Sequence, residues 1–244
     1  MNRITRILGA IGGIVAAGLL SEYAWHSLRD HGPVGSQPDP SLPYLILGDG
    51  FDDQAVLGLI NRLRARRGQH TILVLHTCGG DLSDVARLAR AVDVHGNVEA
   101  WVPYRALSGG TVVALAAEKI VLWPDACLGP VDPQLLVGWT GYFSAHSLDE
   151  VVKTKGQDAD DLWVATSHEG QRAVRDVQTL LERYDVPAQA LPRLLNHGNT
   201  HGFPIFLDEA QALGLPVEPA PRELAAIEST DFSALLQGIE RRLS

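Results

Sequence analysis

Two short apolar runs that end in small-residue turns, and that each lead into a helical segment, place the strongest constraint on the fold of this chain. Residues 72–75 lead into Cys78-Gly79-Gly80, and residues 98–102 lead into Ser108-Gly109-Gly110. Short apolar runs bounded by such turns are typical of buried strands, and strands joined through helices pair in parallel. Because the carboxyl ends of parallel strands meet at one edge of a sheet, we expect the two turns to lie side by side. The sequence therefore predicts an α/β protein with a mainly parallel sheet.

The same alternation continues on both sides of these runs. We predict strands at residues 44–47, 71–75, 98–102 and 120–122, and helices at residues 52–67, 82–92 and 110–118. Residues 136–157 give mixed signals, and further helices are predicted at residues 160–184, 187–195, 207–213 and 223–243. Short connections between the elements indicate right-handed crossovers. We expect one domain over residues 44–222, followed by a C-terminal helix over residues 223–244.

Residues 1–23 have the pattern of a membrane-targeting segment. Arg3 and Arg6 precede an uncharged run over residues 7–20. This run is shorter than the ~20 apolar residues that span a bilayer core, so it fits either a signal peptide or a short signal anchor. No small-x-small cleavage pattern follows it, which favours an uncleaved membrane anchor. The arginines predict a cytoplasmic N-terminus, with the remaining chain outside the cytoplasm beyond a linker over residues 24–43.

Composition argues against several classes of function. The net charge of −9 argues against a nucleic-acid binder, and we expect the basic cluster of Arg62, Arg64, Arg66 and Arg67 to be a solvated helix end. The two cysteines, Cys78 and Cys127, are too few for a disulfide framework, and we expect them to be small buried residues. The nine histidines show no metal-ligand spacing. We therefore predict no metal and no cofactor.

Ser108 has the surroundings that an acyl-transfer nucleophile needs. Gly109 and Gly110 follow it at a predicted helix start, where unpaired N–H groups favour negative charge. The Gly79-Gly80 turn can bring a second N–H group close, because no side chain projects from either Cα atom. Such N–H groups could stabilise the oxyanion that a serine creates when it attacks a carbonyl. The alternative is that Ser108 is simply the N-cap of the following helix.

Four motifs that occur in order carry a family resemblance: His76-Thr77-Cys78-Gly79-Gly80, Leu107-Ser108-Gly109-Gly110-Thr111, Leu128-Gly129-Pro130-Val131-Asp132-Pro133-Gln134-Leu135 and Thr200-His201-Gly202-Phe203-Pro204-Ile205. Over residues 44–216 the chain resembles the serine dehydrogenase proteinase family of membrane-anchored, ClpP-like and SppA-like serine peptidases. The resemblance implies a ClpP/crotonase-like fold, Ser108 as the nucleophile, and an oxyanion hole formed by the N–H groups of Gly80 and Gly109. Cys78 stands where the family usually has proline, which leaves this turn less rigid.

The resemblance leaves the general base open. A ClpP-type triad would place a histidine farther along the chain from Ser108, where this sequence reads Gly129-Pro130-Val131-Asp132-Pro133. The SppA-like branch instead uses a lysine, which can act as a base when burial removes water from its amine. Lys119 lies about 16 Å along the helix that follows Ser108 and is too far away to act. The resemblance points to Lys155, with Lys153 as the alternative base, although both could also be solvated lysines.

Three other residues in these motifs have mainly structural interpretations. His76 ends a buried strand, and we expect it to brace the Gly79-Gly80 turn through a hydrogen bond. Asp132 lies between two prolines, which hold it in a rigid turn. We expect a structural role for it, and a subunit contact is the alternative. His201 belongs to the last motif, but no physical argument brings it to Ser108.

The sequence thus predicts a membrane-anchored serine endopeptidase that hydrolyses peptide bonds through a Ser-Lys dyad and an acyl-enzyme. Its partners would be a peptide or protein substrate, the membrane through the N-terminal segment, and further copies of the same chain. The alternative from a different class is a catalytically inactive ClpP-like scaffold that organises membrane partners. A crotonase-like acyl-CoA enzyme ranks last, because no basic pocket for the CoA phosphates is evident.

Overall fold

The structure, a computed structural model, describes residues 44–51, 53–195, 200–227 and 232–243. These residues divide into two compact units. The hairpin unit comprises residues 132–179, and the sheet unit comprises the described residues before 132 and after 179. The predicted anchor and linker, residues 1–43, lie outside the described residues. Within the described ranges, no helix combines the length and the apolar character that crossing a membrane requires.

The elements follow one another in the alternating order that the sequence predicts for the first half of the chain. The sheet unit begins with β1 (Tyr44–Phe51), α1 (Asp53–Ala65), β2 (Thr71–Gly80), α2 (Leu82–His95), β3 (Val98–Val102), β4 (Arg105–Ala106), α3 (Gly109–Leu115), β5 (Lys119–Leu122) and β6 (Cys127–Leu128). Then come β7 (Gln134–Leu136), β8 (Tyr142–Ser144), α4 (Ala145–Lys155) and α5 (Asp161–Arg183). The described chain ends with α6 (Leu191–Leu194), α7 (Leu207–Ala212), β9 (Val217–Pro219), α8 (Arg222–Ala225) and α9 (Phe232–Leu243).

Seven strands form one sheet, and each of its strand pairs is parallel. The order is β6-β4-β2-β3-β5-β9, and β1 also pairs with β2. The predicted mainly parallel sheet is therefore confirmed. Burial explains the apolar runs, since every residue from Thr71 to Leu75 of the central strand is at most 4% exposed and helices cover a parallel sheet on its faces.

The central strand β2 is twice as long as the sequence predicts, and its neighbour changes along its length. Its first residues pair with β3, from Thr71 opposite Val98 to Val74 opposite Trp101. Its later part pairs with β4, where Thr77 lies opposite Ala106. Since β1 occupies one edge of β2 throughout, β3 and β4 succeed each other along the other edge. The chain thus leaves the sheet after β3 and returns to it just before Ser108.

Local signals fix the helix that follows β2. Asp81 caps α2 by accepting a hydrogen bond from the N–H of Ser83 at 2.8 Å. Gly96 ends the helix in the left-handed conformation, with φ of 66°. Val85 and Leu88 are buried on the inward face of the helix. These caps and this apolar spacing explain why the helix predicted at residues 82–92 forms.

The hairpin unit contains two strands that the sequence does not predict. Strands β7 and β8 pair antiparallel, with Leu135 opposite Phe143. Their turn needs positive φ at Gly138 and Gly141, at 52° and 112°. The Ser144 hydroxyl then caps α4. Strands of three residues carry too little periodicity to be recognised among the mixed signals of this segment.

The C-terminal segment forms two helices rather than one in the part that is described. The helix predicted over residues 223–243 corresponds to α8 and α9, and residues 228–231 between them lie outside the described ranges. The Tyr44 hydroxyl of β1 donates a hydrogen bond to the carboxylate of Glu240. Helix α9 is thereby tied to the first strand of the sheet.

Candidate active site

The two small-residue turns lie side by side, as the sequence predicts. The Leu107 N–H donates to the Thr77 carbonyl at 3.0 Å, which continues the pairing of β4 with the end of β2. A Cβ atom at Gly79 would lie 2.6 Å from Ser108 Cβ and 2.8 Å from the Gly109 nitrogen. Only a glycine allows this approach, and Gly79 also has a φ of 96°. The end of β2 is therefore in direct contact with the backbone of Ser108.

Ser108 has a strained backbone. Its φ of 50° and ψ of −123° lie outside the regions that residues with a side chain commonly adopt. Such a conformation costs about 1–3 kcal/mol and persists only where the surrounding structure imposes it. Ser108 occupies the N-cap position of α3, yet within the described part of the chain its hydroxyl makes no capping hydrogen bond. The half-buried hydroxyl does not serve as the helix cap that the alternative interpretation expected.

Glycines let the first turn of α3 approach its neighbours closely. A Cβ atom would lie 2.2 Å from Val85 Cγ2 if built at Gly109, and 2.5 Å from Thr77 Cγ2 if built at Gly110. Gly109 is the first residue of α3, so no intrahelical carbonyl can accept its N–H. The sequence motif Ser-Gly-Gly is thus explained by packing as well as by chemistry.

Thr111 fixes the turns around Ser108, a role that the sequence analysis missed. Its buried hydroxyl donates to the Ala106 carbonyl at 2.7 Å and lies 3.0 Å from the Gly129 carbonyl. The same oxygen accepts the Gly129 N–H at 3.0 Å. One side chain therefore ties α3 to the end of β4 and to the turn after β6. Thr111 belongs to the Leu107–Thr111 motif, and this motif was the sequence feature that could have pointed to its role.

Thr77 provides a hydrogen bond that braces the glycine turn, and the bracing role of His76 stays a prediction. The Gly79 N–H donates to Thr77 Oγ1 at 3.1 Å. The His76 ring is stacked on Phe232 of α9, with centroids 4.7 Å apart, and meets Tyr104 edge-on at 5.4 Å. Side chains alternate across a strand, which explains why Thr77 faces α3 while His76 faces this aromatic cluster.

The remaining site glycine, Gly80, ends β2 at the surface. It lies opposite Phe51 of β1, and a Cβ atom there would lie 2.5 Å from Phe51 Cβ. Cys78, two residues before it, and Cys127 on β6 are both half-buried, and neither forms a disulfide. The two cysteines are thus less buried than predicted. Burial raises the pKa of the Cys127 thiol.

Lys119 begins β5 and lies at the edge of the sheet where strands start, opposite to the edge where β2 and β4 end. Its Nζ forms ion pairs with Glu99 at 3.1 Å and with Glu218 at 3.7 Å. The hydrogen bond with Glu99 raises the pKa of Lys119. These contacts agree with the prediction that Lys119 is not the base.

The two candidate bases lie in the hairpin unit, whereas Ser108 and the site glycines lie in the sheet unit. Lys155 is the last residue of α4, and its Nζ is 6.0 Å from the ring centroid of Trp163. Lys153 forms an ion pair with Asp149. The hydrogen bond from Lys153 lowers the pKa of Asp149. The role of either lysine stays a prediction.

Asp132 and the motif that contains His201 are held by hydrogen bonds that stabilise the local fold. Asp132 is 3% exposed, and its carboxylate accepts a hydrogen bond from Gln134 at 2.7 Å. The motif that contains His201 is secured by Arg193, which donates to the Pro204 carbonyl at 2.8 Å and to Glu209 at 2.6 Å. Among the residues that the structure describes, no cluster of three or more His, Cys, Asp or Glu side chains could hold a metal ion.

Comparison with protein families shows which family this chain belongs to. A family model described as ClpP-like SDH-type serine proteinase matches residues 52–228, well over half of the chain. This chain belongs to that family. The match confirms the resemblance that the four motifs carry.

Two curated relatives of this SDH-type proteinase are uncharacterised proteins of Methanocaldococcus jannaschii. One is 38% identical over 155 residues, which cover 60% of this chain and 52% of the relative. The other is 29% identical over 161 residues, which cover 62% of this chain and 53% of the relative. The chain thus spans about half the length of the curated relatives it matches.

Solved structures confirm the ClpP-like fold. The chain is similar to a serine-to-alanine mutant of the 1510-N membrane-bound stomatin-specific protease, with a TM-score of 0.52 and 14% identity over 79% of this chain and 81% of that chain. A lysine-to-alanine mutant of the same protease, in complex with a substrate peptide, gives a TM-score of 0.51 and 14% identity over 79% of this chain and 77% of that chain. At this identity the likeness establishes the fold alone.

Proposed function

We propose that this SDH-type proteinase is a membrane-anchored serine endopeptidase with Ser108 as its nucleophile. The observation that carries the proposal is the backbone of Ser108, held at a φ of 50° against Gly79 with a hydroxyl free of any capping hydrogen bond in the described structure. Strain of this kind at a nucleophile presents the hydroxyl for attack. Family membership supports the same chemistry.

The proposed reaction passes through an acyl-enzyme. Ser108 Oγ attacks the carbonyl carbon of a peptide bond, and its proton passes to a general base. The resulting oxyanion accepts hydrogen bonds from the N–H groups of Gly80 and Gly109. The amine leaves with the proton from the base, and water then hydrolyses the Ser108 ester by the same steps in reverse order.

We assign the base to Lys155, with Lys153 as the alternative. Lys153 is held by Asp149 in an ion pair that the amine would have to leave before it could accept a proton. Lys155 is exposed, its amine lies 6.0 Å from the ring centroid of Trp163, and none of the described carboxylates lies within ion-pair distance of it. A lysine amine acts as a base when an apolar environment removes water from it.

The proposed substrate is a peptide or protein, and the chain is proposed to self-associate and to be held at a membrane by residues 1–23. The substrate class follows from the family, and the related 1510-N protease is bound to a substrate peptide. Folds of this type commonly form closed oligomers, which is an argument by analogy. The uncharged run after Arg3 and Arg6 supports the anchor.

A serine-reactive fluorophosphonate probe tests the nucleophile. We expect the wild-type chain to be labelled and Ser108→Ala to be unlabelled, because the probe forms its covalent bond with the activated hydroxyl. Ser233→Ala is the matched control, since Ser233 is an exposed serine on α9. Labelling of Ser108→Ala would refute the assignment. A wild-type chain that neither labels nor cleaves peptides would favour the inactive scaffold.

Lysine replacements test the base. We expect Lys155→Met to lower kcat by about 10²–10⁴-fold with little change in KM, because general-base catalysis contributes to the transition state by about this factor. Lys153→Met on the same helix is the control and should retain most of the activity. Peptide hydrolysis that is unchanged in the Lys153→Met/Lys155→Met double variant would rule out a dyad with either lysine.

A further inference from the structure

Helices α1 and α2 enclose a groove that the proposed peptidase chemistry does not use. The groove has a volume of about 520 Å³ and is lined by apolar side chains between arginines. Leu57 of α1 and Val94 of α2 contribute its apolar surface and are 47% and 49% exposed. Arg64 and Arg67 lie along one side. We name this surface the basic groove.

The arginines of the basic groove differ in their pairing. Arg87 is tied to Asp53 at 2.9 Å and to Asp84 at 2.8 Å. In contrast, Arg64 and Arg67 are exposed, and no carboxylate of the described residues lies within ion-pair distance of either guanidinium. In a chain with a net charge of −9, two unpaired cations beside exposed apolar side chains form a surface suited to an anionic, partly apolar partner.

The end of the basic groove that carries Arg64 and Arg67 lies at the edge of the sheet where residues 1–43 lead into β1. Strands β1 and β2 are parallel, with Tyr44 opposite Ile72, so both begin at the same edge. The helix between them runs in the opposite sense, and its C-terminal end therefore lies at this edge too. Arg64 and Arg67 are at and just beyond that end. Ser108 follows β4 and lies at the opposite edge, where strands end.

We propose that the basic groove docks onto the anionic phospholipid headgroups of the membrane in which residues 1–23 are anchored. This inference rests on the membrane anchor of the proposed function. Guanidinium groups bind phosphate oxygens through paired hydrogen bonds, so Arg64 and Arg67 contact headgroup phosphates. Val94, at the C-terminal end of α2, faces the boundary between headgroups and acyl chains.

Docking of the groove adds a second attachment to the anchor and fixes the orientation of the sheet unit. A single short apolar segment holds a protein at a bilayer less securely than the same segment combined with a basic patch. Because Arg64 and Arg67 lie at the edge of the sheet opposite to the Ser108 turn, docking through this end of the groove turns the proposed active site away from the bilayer. The active site would then face protein segments that project from the membrane surface.

Arginine modification in vesicles tests the proposal with the full-length chain. The chain is reconstituted into vesicles of phosphatidylcholine alone or with about one quarter phosphatidylglycerol, and phenylglyoxal adducts are quantified by mass spectrometry. We expect Arg64 and Arg67 to react about fivefold more slowly in the phosphatidylglycerol vesicles, and equally fast in both at high salt. Arg172 and Arg175 on α5 are exposed internal controls that should react alike in both lipids.

A matched pair of variants separates the groove from a general charge effect. Val94→Glu places a carboxylate in the basic groove, beside His95, which contacts the Arg66 carbonyl, and it should abolish the protection of Arg64 and Arg67. Leu162→Glu places a carboxylate at a side chain that is 52% exposed in the hairpin unit, and it should preserve the protection. Both positions are exposed enough to accept the change without loss of the core.

Three outcomes would overturn the inference or separate it from the proposed function. Equal rates of Arg64 and Arg67 modification in both kinds of vesicle would overturn the inference. Protection that appears without lipid as the protein concentration rises would also overturn it, because it would indicate a second copy of the chain in the groove. Flotation with phosphatidylcholine vesicles reports the anchor independently. Salt-sensitive protection in a chain that does not float with phosphatidylcholine would refute the anchor and support the groove. Fluorophosphonate labelling of Ser108 reports the peptidase separately from both.

Discussion

At the scale of single residues, the site depends on side chains that hold backbone groups in place around Ser108. Thr111 Oγ1 accepts the Gly129 N–H and donates to the Ala106 carbonyl. Thr77 Oγ1 accepts the Gly79 N–H. Both threonines are fully buried. Because a strained backbone persists only where its surroundings enforce it, these hydroxyl groups are part of what keeps Ser108 at its positive φ.

Replacing Thr111 with valine should lower the free energy of unfolding by about 2–3 kcal/mol, since the buried Gly129 N–H would lose its acceptor. Urea denaturation measures the change, and fluorophosphonate labelling should slow in parallel. The control is Thr179→Val, whose hydroxyl donates to the Arg175 carbonyl on an exposed helix surface. We expect the control to stay within about 0.5 kcal/mol of wild type. Equal losses of stability in Thr111→Val and Thr179→Val would contradict the bracing role of Thr111.

At the scale of elements, the site is set by how closely α3 approaches β2 and α2. Gly110 leaves no room for a methyl group beside Thr77 Cγ2, and Gly109 leaves none beside Val85 Cγ2. The start of α3, with Ser108 before it, is therefore pressed against the end of β2. A change in this separation should move the nucleophile and the oxyanion donors together.

We expect Gly110→Ala to lower the free energy of unfolding by about 1–3 kcal/mol, because the new methyl group would overlap Thr77 Cγ2 at 2.5 Å. Denaturation and the rate of labelling at Ser108 measure the effect. Gly58→Ala is the matched control, since nothing lies within 4 Å of its added Cβ atom. Alanine there should stabilise α1 by about 0.5–1 kcal/mol.

A second substitution tests whether the overlap with Thr77 is the cause. Thr77→Ser removes Cγ2 and keeps the hydroxyl that binds the Gly79 N–H. The Gly110→Ala/Thr77→Ser double variant should therefore be more stable than the sum of the two single changes predicts. Strictly additive losses would show that the two residues do not limit the approach of α3.

At the scale of the whole molecule, the buried Tyr44 and the half-buried Tyr184 should make stability depend on pH in the alkaline range. Burial raises the pKa of Tyr184 to about 12, and Asp93 adds to the effect. Burial also raises the pKa of Tyr44, helped by its hydrogen bond with Glu240. In the unfolded chain both hydroxyl groups ionise near pH 10, the ordinary value for tyrosine. The unfolded state then binds fewer protons than the folded state.

The free energy of unfolding should therefore be independent of these tyrosines below about pH 10 and fall as the pH rises toward 12. Tyr184→Phe should flatten this decline and leave stability near neutral pH unchanged or higher, because no hydrogen-bond partner of the Tyr184 hydroxyl is found in the described part of the chain. Urea denaturation at several pH values measures the slope. Tyr142→Phe, at a 59% exposed side chain, is the control. An unaltered slope in Tyr184→Phe would contradict the prediction.

The whole sheet also separates two surfaces with different chemistry. Ser108 and the site glycines lie at the edge where strands end, whereas Tyr44, Arg64 and Arg67 lie at the edge where strands start. Parallel pairing enforces this separation, because every helix must return the chain to the same starting edge. Under the proposed function, membrane attachment and peptide cleavage would occur at different edges of one sheet.

The sequence by itself determined the parallel sheet and the meeting of the Gly79 and Ser108 turns. Strand-helix alternation requires parallel pairing, and parallel pairing brings strand ends to one edge. Short-range patterns also predicted the ends of α2 and α5 to within about three residues, because caps and apolar spacing act over a few residues. The site residues Ser108, Gly80 and Gly109 came from motif resemblance combined with this topology.

Only the tertiary structure decided the features that depend on residues far apart in the chain. The return of β4 to β2, the bond between Thr111 and Gly129, and the stacking of His76 on Phe232 are of this kind. Strands of two or three residues leave no periodic signal, so only their partners reveal them. The basic groove likewise exists because α1 and α2 pack side by side. Local sequence patterns set the order of helices and strands. Packing between residues far apart in the chain produced the strained backbone of Ser108 and the basic groove.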